Sequence, residues 1–95
     1  MIYNNVILTV KAAQDIERVA ELLQQQAASS RAEAGCLRFE VYQSESEPAV
    51  FMLIEHWQSE AHLAAHREAD GFTRIYKPQV LPLVERTPHL CRLLA

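Results

Sequence analysis

The feature that most limits how this chain can fold is an uninterrupted apolar run, Val50 to Ile54, inside a predicted β-strand over 50–57. A strand with one face in water alternates apolar and polar residues, whereas a continuous apolar run is typical of a strand covered on both faces. We therefore expect a sheet with something packed against each side. The 95 residues suit a single domain, which we place over residues 1–95.

Three further segments have the composition of strands. Residues 2–11 are rich in Val, Ile and Thr, and residues 36–43 alternate between apolar and polar side chains. The polar turn 44–48 joins the second of these segments to the apolar run, which predicts a β-hairpin. Residues 89–94 predict a last, short strand.

An amphipathic helix is predicted between the first two strands. Asp15 fits its N-cap position, and Gly35 is a natural C-terminal stop. Between them the apolar side chains recur at helical spacing, at Ile16, Val19, Ala20, Leu23 and Ala27.

Two more helical segments are predicted after the apolar strand. Ser59 fits the N-cap of the first, which we expect to continue to about Ala69 before a break. The second begins at Phe72, and Pro78 and Pro82 mark kinks in it or its end.

The resulting order, β-α-β-β-α-(α)-β, predicts an α+β fold of the ferredoxin-like type. Its helices pack on one face of a four-stranded antiparallel sheet. The other face would expose a larger apolar patch than a soluble monomer usually tolerates. Two copies packed sheet to sheet would cover that patch, so we expect an isologous homodimer.

Composition and charge exclude several classes of partner. The net charge of −3 and the lack of a Lys or Arg run lead us to expect no nucleic-acid partner. The apolar stretches are far shorter than the roughly 20 residues that cross a bilayer, and no signal-peptide pattern is visible. Cys36 and Cys91 form no motif and are interpreted as reduced thiols. We therefore expect a cytoplasmic protein with no membrane partner.

Two segments resemble the antibiotic biosynthesis monooxygenase family. Residues 33–39 read EAGCLRF and enter the second strand, and residues 55–66 read EHWQSEAHLAAH and leave the third. Phe72 follows one helix later, as in the family. The resemblance implies a dimeric α+β barrel with one pocket per subunit, between the sheet and the helices. The family includes cofactor-free quinol and polyketide oxygenases, haem-degrading enzymes and an isomerase.

By position, the resemblance implies that Trp57 and His66 line this pocket and that Phe72 and Tyr76 form its far wall. His66 is our candidate catalytic base, because an unperturbed imidazole exchanges protons near neutral pH. Trp57 also fits a purely structural role as a large core residue. Arg38 is a further substrate-binding candidate, for a phenolic or quinonoid oxygen.

Three positions depart from patterns of particular family members. Tyr76 stands where haem-degrading members place a His ligand, and Val6 aligns with their catalytic Asn, although Asn5 is adjacent. Leu53 stands where polyketide-oxidising members carry an Asn, four residues before Trp57. We therefore expect no haem degradation and an incomplete version of the polyketide-anchoring arrangement.

Two further titratable residues have competing interpretations. Glu55 lies on the same strand face as Trp57, where a carboxylate must be paired or solvated, so we favour a structural ion pair over an acid–base role. His62 and His66 are one helical turn apart, a spacing that can chelate a metal. No third ligand joins them in a known pattern, so we expect no metal site and place His62 on the pocket rim.

The leading functional hypothesis is a cofactor-independent monooxygenase that oxidises a small electron-rich aromatic, a quinol or polyketide-like phenol, with O₂. Such a substrate is its own reductant, so an apolar pocket and a base suffice and no cofactor is expected. One alternative is an isomerase or other proton-transfer enzyme for a small oxygenated metabolite. Another is a non-catalytic dimeric module that binds a small ligand. A dry aromatic pocket favours the oxygenase, whereas Arg and Tyr side chains converging on His66 favour the polar metabolite.

Overall fold

The computed structural model describes residues 1–95 and contains one four-stranded antiparallel sheet. The strands are β1 (Ile2–Val10), β2 (Cys36–Gln43), β3 (Val50–Trp57) and β4 (Val84–Cys91). They follow the order β2-β3-β1-β4 across the sheet, so that β1 and β3 are central and β2 and β4 are edges. This is the predicted α+β ferredoxin-like arrangement.

Helices cover one face of this sheet. The three longer helices are α1 (Ile16–Arg31), α2 (Glu60–His66) and α3 (Gly71–Val80). A short 3₁₀ turn at Ala13–Asp15 precedes α1, and another at Leu81–Leu83 follows α3. None of the helices has the length and apolarity of a membrane span.

The helix termini agree with the predictions in part. Ser59 caps α2, since its hydroxyl accepts a hydrogen bond from the His62 amide. However, α2 ends at His66 and not near Ala69. The helix α3 is wound in the wide π form and contains Pro78, which lacks an amide hydrogen and sits badly in an ordinary helix interior.

Two further predicted boundaries were wrong. The last strand covers Val84–Cys91 and not residues 89–94, because it pairs along nearly all of β1, from Val10 opposite Val84 to Tyr3 opposite Cys91. The polar residues and Pro88 of this segment are not typical of a strand, so the sequence pattern did not indicate its full length. An exposed edge strand, however, tolerates both polar residues and proline.

Gly35 is not the stop of α1. That helix ends at Arg31, and Gly35 lies later, in the turn into β2, with φ of +76°. This is the left-handed region that favours glycine. A Cβ at this position would stand 2.2 Å from the His62 Cγ atom, so packing excludes any side chain as well.

The main core lies between the helices and the sheet. The predicted helix positions Val19, Leu23 and Ala27 are buried, as expected. Burial of such apolar surface is the largest favourable contribution to the stability of a folded domain. The largest cluster of buried apolar residues consists of Val6, Leu8, Val10, Val19, Leu22, Leu23, Phe51, Leu53, Tyr76, Val80 and Val84.

The apolar run of β3 has two unlike faces. Phe51 and Leu53 point under the helices and are buried. Val50, Met52 and Ile54 point to the opposite face, where Met52 is 41% exposed. No element of a single chain covers that open face, and its burial against a second copy stays a prediction.

Candidate active site

One histidine lies inside a cluster of aromatic rings at one end of the core. The His66 ring stacks on Trp57 with 4.5 Å between ring centroids and an interplanar angle of 32°. Phe72 and Phe39 contact the same ring at 5.6 and 5.8 Å. Tyr76 packs on Phe72 at 5.3 Å and extends the cluster along α3. His66 is only 2% exposed.

Local folding brings the imidazole over the indole. Trp57 ends β3 on the helix side of the sheet, and only two residues later the cap at Ser59 starts α2. Leu63 and His66 are the buried residues of α2, three positions apart on one face. The chain therefore folds back on itself within ten residues, and His66 comes to rest on Trp57.

Two carboxylates lie on opposite sides of the imidazole. The Nδ1 atom of His66 is 2.9 Å from Glu33 Oε1, and its Nε2 atom is 4.0 Å from Glu55 Oε1. Trp57 Nε1 donates a 3.0 Å hydrogen bond to that same Glu55 oxygen, and Asn4 Nδ2 donates one of 3.4 Å. The arrangement can bind, hold and release a proton at a defined position.

Glu55 is a buried carboxylate at the floor of this cluster. Burial raises the pKa of Glu55 above its ordinary value of 4.5, while the hydrogen bond from Trp57 and the neighbouring His66 and Asn4 oppose the shift. A buried acid with a raised pKa lies closer to neutrality than a surface carboxylate and is a common property of functional sites.

A second polar pair lies beside the aromatic cluster. Arg86 Nε donates a 3.0 Å hydrogen bond to the hydroxyl oxygen of Tyr76. Burial raises the pKa of Tyr76, and the attraction of the Arg86 charge opposes the rise only in part. The Tyr76 hydroxyl therefore stays protonated at neutral pH and can act as a hydrogen-bond donor.

Of the cavities in the molecule, only one reaches His66. It is a groove of about 200 Å³ between α2 and the turn that precedes β2. No cavity is lined by Trp57, Phe72 or Tyr76, whose side chains are packed against one another. The residues that line the groove are Glu33, Ala34, His62, Ala65, His66 and Ala69.

The structure brings together four of the five predicted site residues and leaves one apart. His66, Trp57, Phe72 and Tyr76 share the aromatic cluster. Arg38 is exposed on β2, where it forms a 2.7 Å ion pair with an exposed carboxylate of its own strand. It lies one strand position away from the inward-facing side chains, so it points to the other face of the sheet.

Sequence reasoning missed four members of the site, the aromatic Phe39 and three polar residues. Glu33 is separated from His66 by 33 positions, and no spacing rule connects a turn residue to a helix residue at that distance. Asn4 and Arg86 reach the cluster only through the strand pairing of β1 with β3 and β4. Only Asn4 could have been identified from the sequence, because it is a polar residue on the otherwise apolar face of β1.

His62 lines the groove beside His66. Its Nδ1 atom lies 2.8 Å from the hydroxyl of Ser59, which fixes the ring. No group of three or more His, Cys, Asp or Glu side chains is arranged to hold a metal ion.

The family model of the antibiotic biosynthesis monooxygenases matches residues 1–78. The matched range contains β1 to β3, α1, α2 and most of α3, and thus His66 with both of its carboxylate neighbours. No curated protein is similar enough in sequence to match this chain.

Solved structures agree with this fold over nearly the whole chain. A protein of unknown function from Bacteroides thetaiotaomicron, described as a possible oxidoreductase, has a TM-score of 0.87 at 29% identity, covering 95% of this chain and 94% of that one. A protein from Pseudomonas aeruginosa has a TM-score of 0.85 at 25% identity, covering 99% and 95%. A structure described as an antibiotic biosynthesis monooxygenase has a TM-score of 0.86 at 22% identity, covering 98% and 99%, a likeness that shows the fold.

Proposed function

The chain belongs to the antibiotic biosynthesis monooxygenase family, and from that premise we propose that it is a cofactor-independent monooxygenase. Its substrate would be a small, electron-rich aromatic, a quinol or a polyketide-like phenol, and its oxidant O₂. The observation that carries this proposal is the position of His66, a buried base between two carboxylates and among three aromatic rings.

Glu33 prepares His66 for proton removal. The carboxylate lies 2.9 Å from Nδ1 and holds the imidazole in place, so that Glu33 and His66 together form the proton-accepting pair. After the imidazole has taken a proton, it carries a positive charge between Glu33 and Glu55, both of which attract it. The two carboxylates therefore face the positive charge that forms in the first step.

The oxidation uses electrons from the substrate alone. His66 removes the phenolic proton, and the phenolate passes one electron to O₂, giving a phenoxyl radical and superoxide. Recombination forms a C–O bond at a ring carbon, and loss of water with that carbon's hydrogen leaves a carbonyl group. One oxygen atom enters the ring, the other leaves as water, and the substrate becomes a quinone.

The neighbouring side chains would assist without taking part in the redox step. Trp57, Phe39 and Phe72 pack around the imidazole and exclude water from it, which strengthens the electrostatic interactions inside the site. Tyr76, held by Arg86, extends this packed cluster along α3.

The proposal is tested by O₂ consumption. A panel of quinones is reduced without oxygen, O₂ is admitted, and uptake is measured with and without protein. We expect acceleration for at least one quinol, and a 10²- to 10⁴-fold loss of kcat, roughly, in His66→Ala. Arg67→Ala removes the exposed neighbour of His66 and is the matched control, with unchanged uptake expected.

Absence of acceleration for every member of the panel would contradict the oxygenase assignment. Retention of full activity in His66→Ala would contradict the role of His66 alone. Circular dichroism of both variants separates loss of the base from loss of the fold.

A proton-transfer enzyme is the second candidate, and the convergence of Glu55 with the Tyr76–Arg86 pair favours it. These groups suit a small oxygenated metabolite whose carbon-bound hydrogen is moved. This enzyme would exchange substrate hydrogen for solvent deuterium without O₂, and His66→Ala would stop the exchange. An oxygenase would consume O₂ instead.

A homodimer formed through the open sheet face completes the proposal. Ile7, Met52 and Ile54 place apolar surface at the centre of that face. Sedimentation at micromolar concentration is expected to give twice the 10.8 kDa chain mass. A single 10.8 kDa particle would refute this arrangement.

A further inference from the structure

The groove beside α2 is the only cavity that gives access to the proposed base. The aromatic side chains on the other sides of His66 are packed and leave no space for a ligand. At the floor of the groove lies the pair of Glu33 and His66. A molecule that reaches this floor meets a carboxylate and an imidazole in hydrogen-bond contact.

The size of the groove limits what it can hold. Its volume is about 200 Å³. A cavity of about 150 Å³ is enough for benzene, whereas sites for drug-sized ligands measure roughly 300–1,000 Å³. The groove therefore matches one aromatic ring with small substituents, and a fused polycyclic molecule would extend beyond it into solvent.

The lining of the groove selects by charge and shape. Three methyl groups, from Ala34, Ala65 and Ala69, form smooth apolar walls that suit a flat ring. No Lys or Arg side chain lines it, and Glu33 brings negative charge. An anionic ligand would be repelled there, so a neutral ligand is favoured.

The ring of His62 forms the outer wall of the groove. Its Nδ1 atom lies 2.8 Å from the hydroxyl oxygen of Ser59, and a Cβ atom at Gly35 would overlap the ring. These two neighbours orient the ring and thereby set the width of the groove.

We propose that this groove is the substrate site and that it takes an uncharged, single-ring phenol or quinol, with one hydroxyl directed at the Glu33–His66 pair. The inference rests on the proposed function, because His66 is the base in both. It narrows the substrate class from aromatics in general to single-ring, uncharged phenols.

The test measures binding without oxidation. Under anaerobic conditions, 1,4-benzenediol is titrated into the protein, and binding is followed by NMR through the methyl signals of Ala65 and Ala69. The same titration uses 1,4-naphthalenediol, which has two rings, and 4-hydroxybenzoate, which is anionic. The variant Ala65→Leu fills the groove, and Ala64→Leu adds the same bulk on an exposed neighbour that does not line it.

We expect 1,4-benzenediol to bind at least tenfold more tightly than the other two molecules. Ala65→Leu should weaken this binding at least tenfold, and Ala64→Leu should change it less than twofold. Ala69→Leu narrows the groove from another side and replaces Ala65→Leu if that variant does not fold. Equal binding of the two-ring diol, unchanged binding in the filled variants, or no binding to the parent protein would overturn the inference.

The two proposals fail in different ways. Binding in the groove without O₂ uptake contradicts the oxygenase and leaves the groove as a phenol site. O₂ uptake that Ala65→Leu leaves unchanged contradicts the groove and leaves the oxygenase intact.

Discussion

The two ends of the helix-side core lie on the same strands, but one end is lined by aliphatic side chains and the other by polar ones. On β3, Phe51 and Leu53 are buried among aliphatic side chains, and two residues further along the same face comes the carboxylate of Glu55. On β1, Val6 pairs opposite Leu53, and the next inward residue, Asn4, pairs opposite Glu55. Polarity thus changes at the same level in both central strands.

The helix above the sheet changes at the corresponding place. The first half of α1 buries Val19 and Leu23, whereas its second half buries Gln26 and Ser30. Three of the four buried side-chain atoms without a hydrogen-bond partner, Gln26 Oε1, Ser30 Oγ and Glu33 Oε2, belong to this second half and the turn after it. Unpaired buried polar atoms are unfavourable. The aliphatic end therefore stabilises the fold, whereas the buried polar groups of the other end reduce its stability.

Removal of an aliphatic side chain should have the largest effect on stability. Leu53→Ala leaves a cavity at a position that is 1% exposed, and we expect the free energy of unfolding to fall by about 2–5 kcal/mol. Urea denaturation measures this change. Leu37→Ala, on an exposed bulge of β2, should change it by less than about 0.5 kcal/mol. A loss in Leu53→Ala no larger than the loss in Leu37→Ala would remove the distinction between the two ends.

Glu33→Gln should affect activity more than stability. An amide in place of the carboxylate can still meet Nδ1 but no longer balances the imidazolium charge, so we expect kcat to fall about 10- to 100-fold with KM little changed. Glu33→Asp should recover part of the loss, and the exposed Glu45→Gln should have no effect. A purely structural role would instead reduce stability and leave the pH profile of kcat unchanged.

Loss of the helix cap should have a smaller effect. Ser59→Ala removes the acceptor for the His62 amide, and we expect the free energy of unfolding to fall by about 1 kcal/mol. Thermal unfolding measures the shift. Ser46→Ala, in the exposed turn between β2 and β3, is the control and should leave the midpoint nearly unchanged.

The smallest effect concerns the pH dependence of stability. The pKa of Glu55 is higher in the folded than in the unfolded chain, so the folded state binds more protons and loses stability as pH rises from about 4.5 through the folded pKa. Glu55→Gln keeps an oxygen for the Trp57 hydrogen bond and lacks this loss. Its unfolding free energy minus that of the parent protein should increase from pH 4 to pH 7. A difference that does not change with pH would contradict the raised pKa of Glu55 in the folded protein.

The fold could be predicted from sequence because its determinants are local and periodic. The apolar run of β3, the alternation in β2 and the helical stripe of α1 each produced an element that the structure contains. The bounds of the edge strand β4 were mispredicted because this strand forms by pairing with β1 and has no apolar pattern of its own. Its position is a tertiary property.

The site could be predicted only through the family resemblance, which placed Trp57 and His66 in one pocket. These two residues lie within ten positions of each other, at the end of β3 and on α2. Glu33 and Arg86 approach from other elements, and their side chains resemble ordinary surface charges in the sequence. Conversely, Arg38 had suitable chemistry, but strand alternation turns it away from His66.

The contact between Gly35 and His62 implies that two positions 27 residues apart cannot vary independently. A relative with alanine at the first position must carry a much smaller residue than histidine at the second, or must bend the turn before β2 differently. The pair should therefore be visible as covariation when many homologues are aligned. In a double-mutant cycle, the penalty of Gly35→Ala should shrink once His62 is also alanine, leaving only the part due to the left-handed backbone.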